Sequence, residues 1–141
     1  MKGIVDLVGR ILMAFIFIYE GIDSILYFGK TRETMIDYGL TWHTDIFLIA
    51  TIVLLMVGGT LLMLGYRSSF GSILLLLYWI PFTFIVYSFW DEPEPQRRLE
   101  AIMFMRNLAI AGGLLMIFVN GSGKYSVRSL LANTKVPKKY R

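Results

Sequence analysis

The sequence predicts an all-α membrane protein, with four transmembrane helices in an antiparallel up-down bundle and both termini in the cytoplasm. Hydrophobic residues make up 56% of the 141 residues and charged residues only 17%, whereas charged residues reach about 25% in soluble domains. The apolar residues form four runs of about 19 to 25 residues, each long enough for a helix to cross a hydrocarbon core of about 30 Å. The runs lack the alternation of apolar and polar residues that marks a membrane barrel.

The first run, residues 4–28, carries Glu20 and Asp23 near its far end. A cleaved signal peptide is the alternative, because a basic residue precedes the run. The run is longer than the apolar region of a signal peptide and no small-x-small cleavage site follows, so we expect a retained helix. The connection 29–45 is amphipathic at 31–38, which predicts a short helix on the outer surface.

The second and third runs, residues 46–64 and 70–90, are separated by a link of a few residues, which favours an antiparallel pair. Pro81 lies inside the third run and removes the backbone hydrogen bond to Leu77. We therefore expect a bend there, with Thr83 as a local donor to the freed carbonyl groups.

The fourth run, residues 101–119, follows an acidic loop whose two prolines end the preceding helix. A short glycine-containing stop then leads into a basic tail, residues 124–141. Residues 1–141 are accordingly predicted to form a single four-helix transmembrane domain with a cytoplasmic tail.

The distribution of Lys and Arg predicts the orientation. Eight of these residues fall on the side that holds both termini and four on the other side. The eight are Lys2, Arg67, Lys124, Arg128, Lys135, Lys138, Lys139 and Arg141. By the positive-inside rule, the side with the larger number is cytoplasmic.

The net charge of +4 does not predict a nucleic-acid partner. The basic cluster 135–141 lies directly beyond a membrane span. Attraction to anionic lipid headgroups, worth about 1 kcal/mol per basic residue at the surface, explains the cluster. A simple topology signal explains it equally well. Membrane lipids are the first partners that we expect.

Four polar residues in the first and fourth runs predict an intramembrane polar cluster: Glu20, Asp23, Arg106 and Asn107. Asp23 and Arg106 each lie five residues from the outer end of their run, about 7 to 8 Å below the boundary. Charges at that depth normally face the interior of a bundle and find partners there. An ion pair that fixes helix packing is one interpretation. A proton-linked or ligand-binding role for Glu20 is the other.

Arg10 has a separate explanation. Asp6 lies four residues earlier on the same helix face, which predicts an intrahelical ion pair near the cytoplasmic border. Extension of the Arg10 side chain to the headgroups explains the residue equally well.

Several chemistries are excluded by composition. The chain has no Cys and a single His, His43, in the first connection. Thiol chemistry, an iron-sulfur cluster held by thiolates and a haem held by two histidines in the bundle are therefore ruled out, and no metal site is expected. Any redox role requires a bound organic cofactor such as a quinone, or a partner subunit.

Several segments taken together resemble a known family. These are Gly9-Arg10-Ile11-Leu12 leading to Gly21-Ile22-Asp23, Gly58-Gly59 to Leu64-Gly65-Tyr66-Arg67, Phe89-Trp90, Phe104-Met105-Arg106-Asn107-Leu108-Ala109 with Gly112-Gly113, and Gly121-Ser122-Gly123-Lys124-Tyr125-Ser126. Over nearly its whole length the chain resembles the DoxX family of small four-span membrane proteins.

The resemblance implies a link to quinone-dependent redox systems, such as a subunit of thiosulfate:quinone oxidoreductase, and to membrane complexes of oxidative-stress defence. It implies Asp23 as the acidic position of the first span, and Arg106 with Asn107 as the basic-plus-Asn motif of the fourth. The family often has Lys where this chain has Ser24, and His near the position of Tyr87. These two departures favour a non-catalytic role.

We therefore expect a non-catalytic accessory or scaffold subunit of a larger membrane complex, of redox type, in the bacterial inner membrane. Its expected partners are other membrane subunits or further copies of the chain. One alternative is a quinone-interacting subunit of a membrane oxidoreductase. Another is a small-solute carrier that works as an oligomer, although no internal repeat supports alternating access.

Overall fold

The computed structural model of the protein describes residues 2–134, and every regular element within that range is an α-helix. The helices are α1 Lys2–Leu26, α2 Phe28–Asp37, α3 Thr44–Leu64, α4 Ser68–Val86, α5 Gln96–Asn120 and α6 Val127–Thr134. Helices α3, α4 and α5 are each long and apolar enough to cross a membrane, and α1 with α2 forms a fourth candidate. The prediction of an all-helical membrane protein is confirmed, with three to four candidate spans. The end of the predicted basic tail, residues 135–141, lies outside the described residues.

The first predicted span ends in a sharp bend. Helices α1 and α2 meet at Tyr27 and are bent by 99°. The Tyr27 carbonyl oxygen accepts hydrogen bonds from the backbone N–H and the hydroxyl group of Thr31, which start α2 in its new direction. Helix α2 buries no residue. The short helix expected at 31–38 is present, but it begins three residues earlier.

Helix α4 is shorter than predicted. It ends at Val86, whereas the apolar run continues to Trp90. The rings of Phe89 and Trp90 instead turn towards Phe104 on α5, with centroid distances of 5.5 and 6.0 Å. Packing of these aromatic rings at the end of the bundle thus takes the place of a further helical turn.

Pro81 lies within a continuous α4. The hydroxyl group of Thr83 donates a hydrogen bond to the carbonyl oxygen of Trp79 at 2.7 Å. We expected Thr83 to donate to a carbonyl group freed by Pro81, and this expectation was wrong. The carbonyl that Pro81 leaves without a donor is that of Leu77, whereas Thr83 donates to Trp79. Thr83 bonds one turn back along its own helix, as buried threonines in helices commonly do.

Neighbouring helices pack in the order α1, α3, α4, α5, whereas α1 and α5 contact each other at few positions. The core centres on Trp79, which is 1% exposed. Its ring meets the edge of Phe17 at 5.1 Å, and its indole N–H donates to the carbonyl oxygen of Asn107 at 3.0 Å. A Cβ on Gly58 would lie 2.7 Å from Leu75, so this glycine permits the close approach of α3 and α4.

Candidate functional site

The buried charge of the bundle is Arg10, which is 1% exposed. Its guanidinium donates from Nε to the Asp6 carboxylate at 3.1 Å, from Nη1 to the Leu62 carbonyl at 3.3 Å and from Nη2 to the Tyr125 carbonyl at 2.6 Å. The expected Asp6–Arg10 ion pair is therefore present. The alternative of extension to the headgroups is wrong, because the side chain is enclosed between α1, the end of α3 and the segment after α5.

Two glycines enclose this group, which we call the Arg10 junction (Asp6, Arg10 and the carbonyls of Leu62 and Tyr125). Gly65 and Gly123 have φ values of +67° and +64°, in the left-handed region that favours glycine. A Cβ on Gly65 would overlap Arg10, and one on Gly123 would overlap the Asp6 carboxylate. The junction has no room for a ligand, so we interpret it as structural.

The predicted polar cluster lies towards the opposite ends of α1 and α5. Asn107 is 7% exposed and Glu20 is half-buried, whereas Asp23 and Arg106 are exposed. Within residues 2–134 the ion pairs are Asp6–Arg10 and Arg32–Asp45, so the expected direct pair between Arg106 and an acidic residue of α1 is not formed.

Helix geometry explains why that pair is missing. The buried residues of α5 are Phe104, Asn107, Ala111 and Leu114, which lie three or four residues apart on one face. One residue on a helix corresponds to a rotation of about 100°. Asn107 therefore occupies the inward face, and Arg106 is turned outwards.

Glu20 interacts electrostatically with two tyrosines, Tyr78 within α4 and Tyr87 directly after it. The Glu20 carboxylate lies close enough to act electrostatically on the phenols of Tyr78 and Tyr87, and Arg106 acts on Tyr87 as well. The Tyr78 ring stacks on Phe82 at 5.3 Å, and Phe82 meets the edge of Tyr87 at 5.9 Å. We call Glu20, Tyr78, Tyr87, Arg106 and Asn107 the polar seam; they come from α1, from α4 and the residue after it, and from α5.

Two polar groups of the seam lack partners. The side-chain Nδ2 of Asn107 is buried and finds no hydrogen-bond acceptor within residues 2–134. Over the same residues the Glu20 carboxylate forms no ion pair. It also accepts no hydrogen bond, because the side-chain hydrogen bonds there involve other residues. A buried polar group without a partner, such as the Asn107 Nδ2, costs about 1 to 3 kcal/mol and is uncommon in native proteins unless a ligand or water satisfies it. The Glu20 carboxylate is only half-buried.

Asp23 lies beside the seam rather than in it. Together with Tyr27, Lys30, Thr31 and Thr34 it lines a shallow cleft of about 360 Å³ between the end of α1 and α2. Glu20 and Arg106 thus both act electrostatically on Tyr87, Asn107 bonds Trp79 through its backbone carbonyl, and Asp23 lines a separate cleft.

Sequence reasoning missed Tyr78 as a residue of the site. A tyrosine within an apolar run was the available signal, because a buried phenol normally seeks a polar neighbour. Tyr87 was noted only as a departure from a family pattern.

Comparisons with known proteins find one matching family and several similar membrane proteins. The model of the DoxX family matches residues 5–88, which cover most of α1 and all of α2 to α4. Inner membrane protein YqjF of Escherichia coli is 31% identical over 93% of this chain and 97% of its own length. Inner membrane protein YphA of the same organism is 26% identical, with 89% of each chain covered.

A eukaryotic protein is also similar. ER-derived vesicles protein ERV29 of Saccharomyces cerevisiae is 28% identical over 73% of this chain, which spans about a third of its length (32%). No solved structure matches the chain significantly.

Proposed function

The chain belongs to the DoxX family, and we propose that it serves as an accessory subunit of a membrane redox complex, binding a quinone headgroup in the polar seam. It is an integral membrane protein of the bacterial inner membrane, as are its relatives of similar length. The unpartnered Glu20 and Asn107 side chains carry the proposal, because they offer hydrogen bonds to a ligand at membrane depth.

An antiparallel bundle with cytoplasmic termini is part of the proposal. Arg10, near the start of α1, reaches carbonyls at the end of α3 and after α5. The N–H of Ser68, at the start of α4, donates to the hydroxyl group of Ser122, just after α5. These contacts support alternating helix directions, and the excess of Lys and Arg on the side of the termini supports the orientation.

The way α1 packs against α5 supports a common depth for Glu20 and Arg106. A Cβ on Gly113 would lie 2.9 Å from the methyl group of Met13. Seven residues onward from Met13 is Glu20, and seven residues back from Gly113 is Arg106. In an antiparallel pair with equal rise per residue, these two positions reach the same depth.

A quinone carries hydrogen-bonding groups that match the unpartnered groups of the polar seam. Its carbonyl oxygens accept hydrogen bonds, which the Asn107 amide can donate. The hydroxyl groups of the reduced form donate, and a carboxylate at Glu20 can accept. The flat ring suits the aromatic surface of Tyr78, Phe82 and Tyr87.

Access and electron supply complete the argument. Because α1 and α5 touch at few positions, a quinone headgroup would enter between these two helices and leave its apolar tail in the bilayer. The chain has no Cys and a single His, so electrons have to come from a partner subunit. The role is therefore that of an accessory subunit that positions the quinone.

Fluorescence of Trp79 tests the proposal. The chain has three Trp, and replacement of Trp42 and Trp90 by Phe leaves one fluorophore in contact with the seam. Addition of a short-tailed benzoquinone to the protein in detergent should quench it saturably. Glu20→Gln and Asn107→Leu should each weaken binding about tenfold, which corresponds to the loss of about 1.4 kcal/mol.

Matched controls are available on exposed positions. Glu33→Gln and Asn133→Leu make the same chemical changes away from the seam and should leave the quenching unchanged. If quenching does not saturate, or is equal in all four variants, the seam does not bind quinone. If the protein is instead only a scaffold, the seam variants should impair the recovery of partner subunits and leave the quenching by quinone unchanged.

A further inference from the structure

We propose that α6 is an amphipathic helix that lies in the plane of the membrane surface and binds anionic lipid headgroups. This surface is separate from the polar seam and independent of quinone binding.

The apolar face of α6 is uncovered by the rest of the described chain. Val127, Leu130, Leu131 and Thr134 follow one another at intervals of three, one and three residues and form one stripe on the helix. No residue of α6 is buried, and Leu130 and Leu131 are 67% and 47% exposed. An apolar stripe of this kind requires either lipid or another protein to cover it.

The polar face of α6 is turned the other way. Arg128, Ser129 and Ala132 line a shallow polar cleft of about 270 Å³, together with the stretch Asn120–Gly123 and Ser126. The hydroxyl group of Ser126 accepts a hydrogen bond from the Ser129 N–H at 3.2 Å and caps the helix. The chain therefore approaches α6 from its polar side and leaves the apolar side free.

Position and charge identify a lipid surface as the occupant. Helix α6 begins seven residues after the last residue of the candidate span α5. The Arg10 junction holds the carbonyl of Tyr125 next to the bundle, and the Tyr125 ring is half exposed, as is typical of residues at the interface.

The segment from 121 to the end contains six basic residues and no acidic one. The six are Lys124, Arg128, Lys135, Lys138, Lys139 and Arg141. An amphipathic helix with flanking positive charge binds anionic lipid by both apolar burial and electrostatic attraction. An acidic partner protein would satisfy the charge, but it would not by itself require an apolar stripe at headgroup level.

Site-directed spin labelling tests the inference on the full chain. Because the protein has no Cys, Leu131→Cys and Asn133→Cys each introduce a single labelling site, on opposite faces of α6. The protein is placed in nanodiscs of phosphatidylcholine, with or without phosphatidylglycerol, and label accessibility to oxygen and to a water-soluble nickel chelate is measured.

The label at 131 should favour oxygen, the one at 133 should favour the nickel chelate, and phosphatidylglycerol should increase this difference. Lys124→Gln with Arg128→Gln should remove much of that increase while leaving thermal unfolding unchanged, since both side chains are exposed. Equal access of the nickel chelate to both labels in both lipids would overturn the proposal. Protection of position 131 only in native membranes, and not in nanodiscs, would also overturn it and would indicate a protein partner.

Discussion

Arg10 donates a hydrogen bond from Nη2 to the carbonyl oxygen of Tyr125 at 2.6 Å, across 115 residues of sequence. The same guanidinium binds the Leu62 carbonyl at the end of α3 and the Asp6 carboxylate one turn away. One enclosed side chain thus connects three segments of the chain. The Arg10 junction is a polar crosslink of the bundle, a role that the sequence had suggested for Arg106.

Replacement of Arg10 by Met should strongly destabilise the protein. The change leaves the Tyr125 carbonyl and the partly exposed Asp6 carboxylate without their donor, whereas the Leu62 carbonyl keeps the bond from the Gly65 N–H. A buried group left unsatisfied typically costs about 1 to 3 kcal/mol. Unfolding in detergent measures the effect. Arg98→Met is the control, because Arg98 is exposed, and it should change stability by less than about 0.5 kcal/mol. Equal stability of the two variants would show that the junction contributes little.

Substitution of the junction glycines should also destabilise the fold. Gly65→Ala and Gly123→Ala each place a Cβ against the Asp6–Arg10 pair and force a non-glycine residue into a positive φ. Gly9→Ala is the matched control within α1, since a Cβ there meets nothing within 4 Å. The thermal midpoint should fall for the first two variants and stay constant or rise for the third, because Ala favours helix. The opposite order would contradict the described geometry.

A double-mutant cycle between Glu20 and Arg106 should show little coupling. No direct ion pair joins the two side chains within residues 2–134, so the effects of Glu20→Gln and Arg106→Met on stability should add to within about 0.5 kcal/mol. Unfolding of the two single variants and the double variant provides the measurement. A coupling well above that value would restore the structural ion pair that the sequence suggested.

Tyr38 provides a test by pH at the end of α2. Burial raises the pKa of its phenol, and the carboxylates of Glu100, Glu92 and Asp37 raise that pKa further. Since the folded pKa exceeds the unfolded value of about 10, this group has no effect on the pH dependence of stability at lower pH. The contribution of Tyr38 to the free energy of unfolding decreases as pH rises from the unfolded pKa through the folded one.

Glu100→Gln should lower the pKa of Tyr38, because it removes the carboxylate that has the largest effect on this pKa. An ultraviolet titration, taken as a difference against Tyr38→Phe, resolves this one tyrosine. Glu94→Gln, in the loop just before α5, is the control and should leave the titration unchanged. An unaltered midpoint in Glu100→Gln would place Tyr38 away from the start of α5.

The all-helical class and the presence of three to four helices of membrane-spanning length follow from the sequence, because the thickness of the bilayer sets the length of an apolar run. Helix α6 was not predicted. The end of α4 does not follow, since Phe89 and Trp90 are equally apolar in a helix and in the aromatic cluster on Phe104. Hydropathy identifies which residues are in the membrane, but it does not determine where a helix ends.

The rotation of the helices could not be predicted from the sequence. Lipid and protein interior are both apolar, so nothing in the pattern of α5 distinguishes an inward Arg106 from an inward Asn107. The partners of Arg10 were hidden for another reason. Two of them are backbone carbonyls, and their positions depend on where α3 ends and how the chain continues after α5.

Photolabelling with an azido-quinone in membranes that contain the intact complex tests the proposed binding in the polar seam most directly. We predict adducts on peptides that contain Glu20, Tyr78 or Asn107, competed by excess unlabelled quinone and reduced in Glu20→Gln and Asn107→Leu. Labelling spread over lipid-facing residues of all helices, insensitive to competition and to both substitutions, would contradict the account.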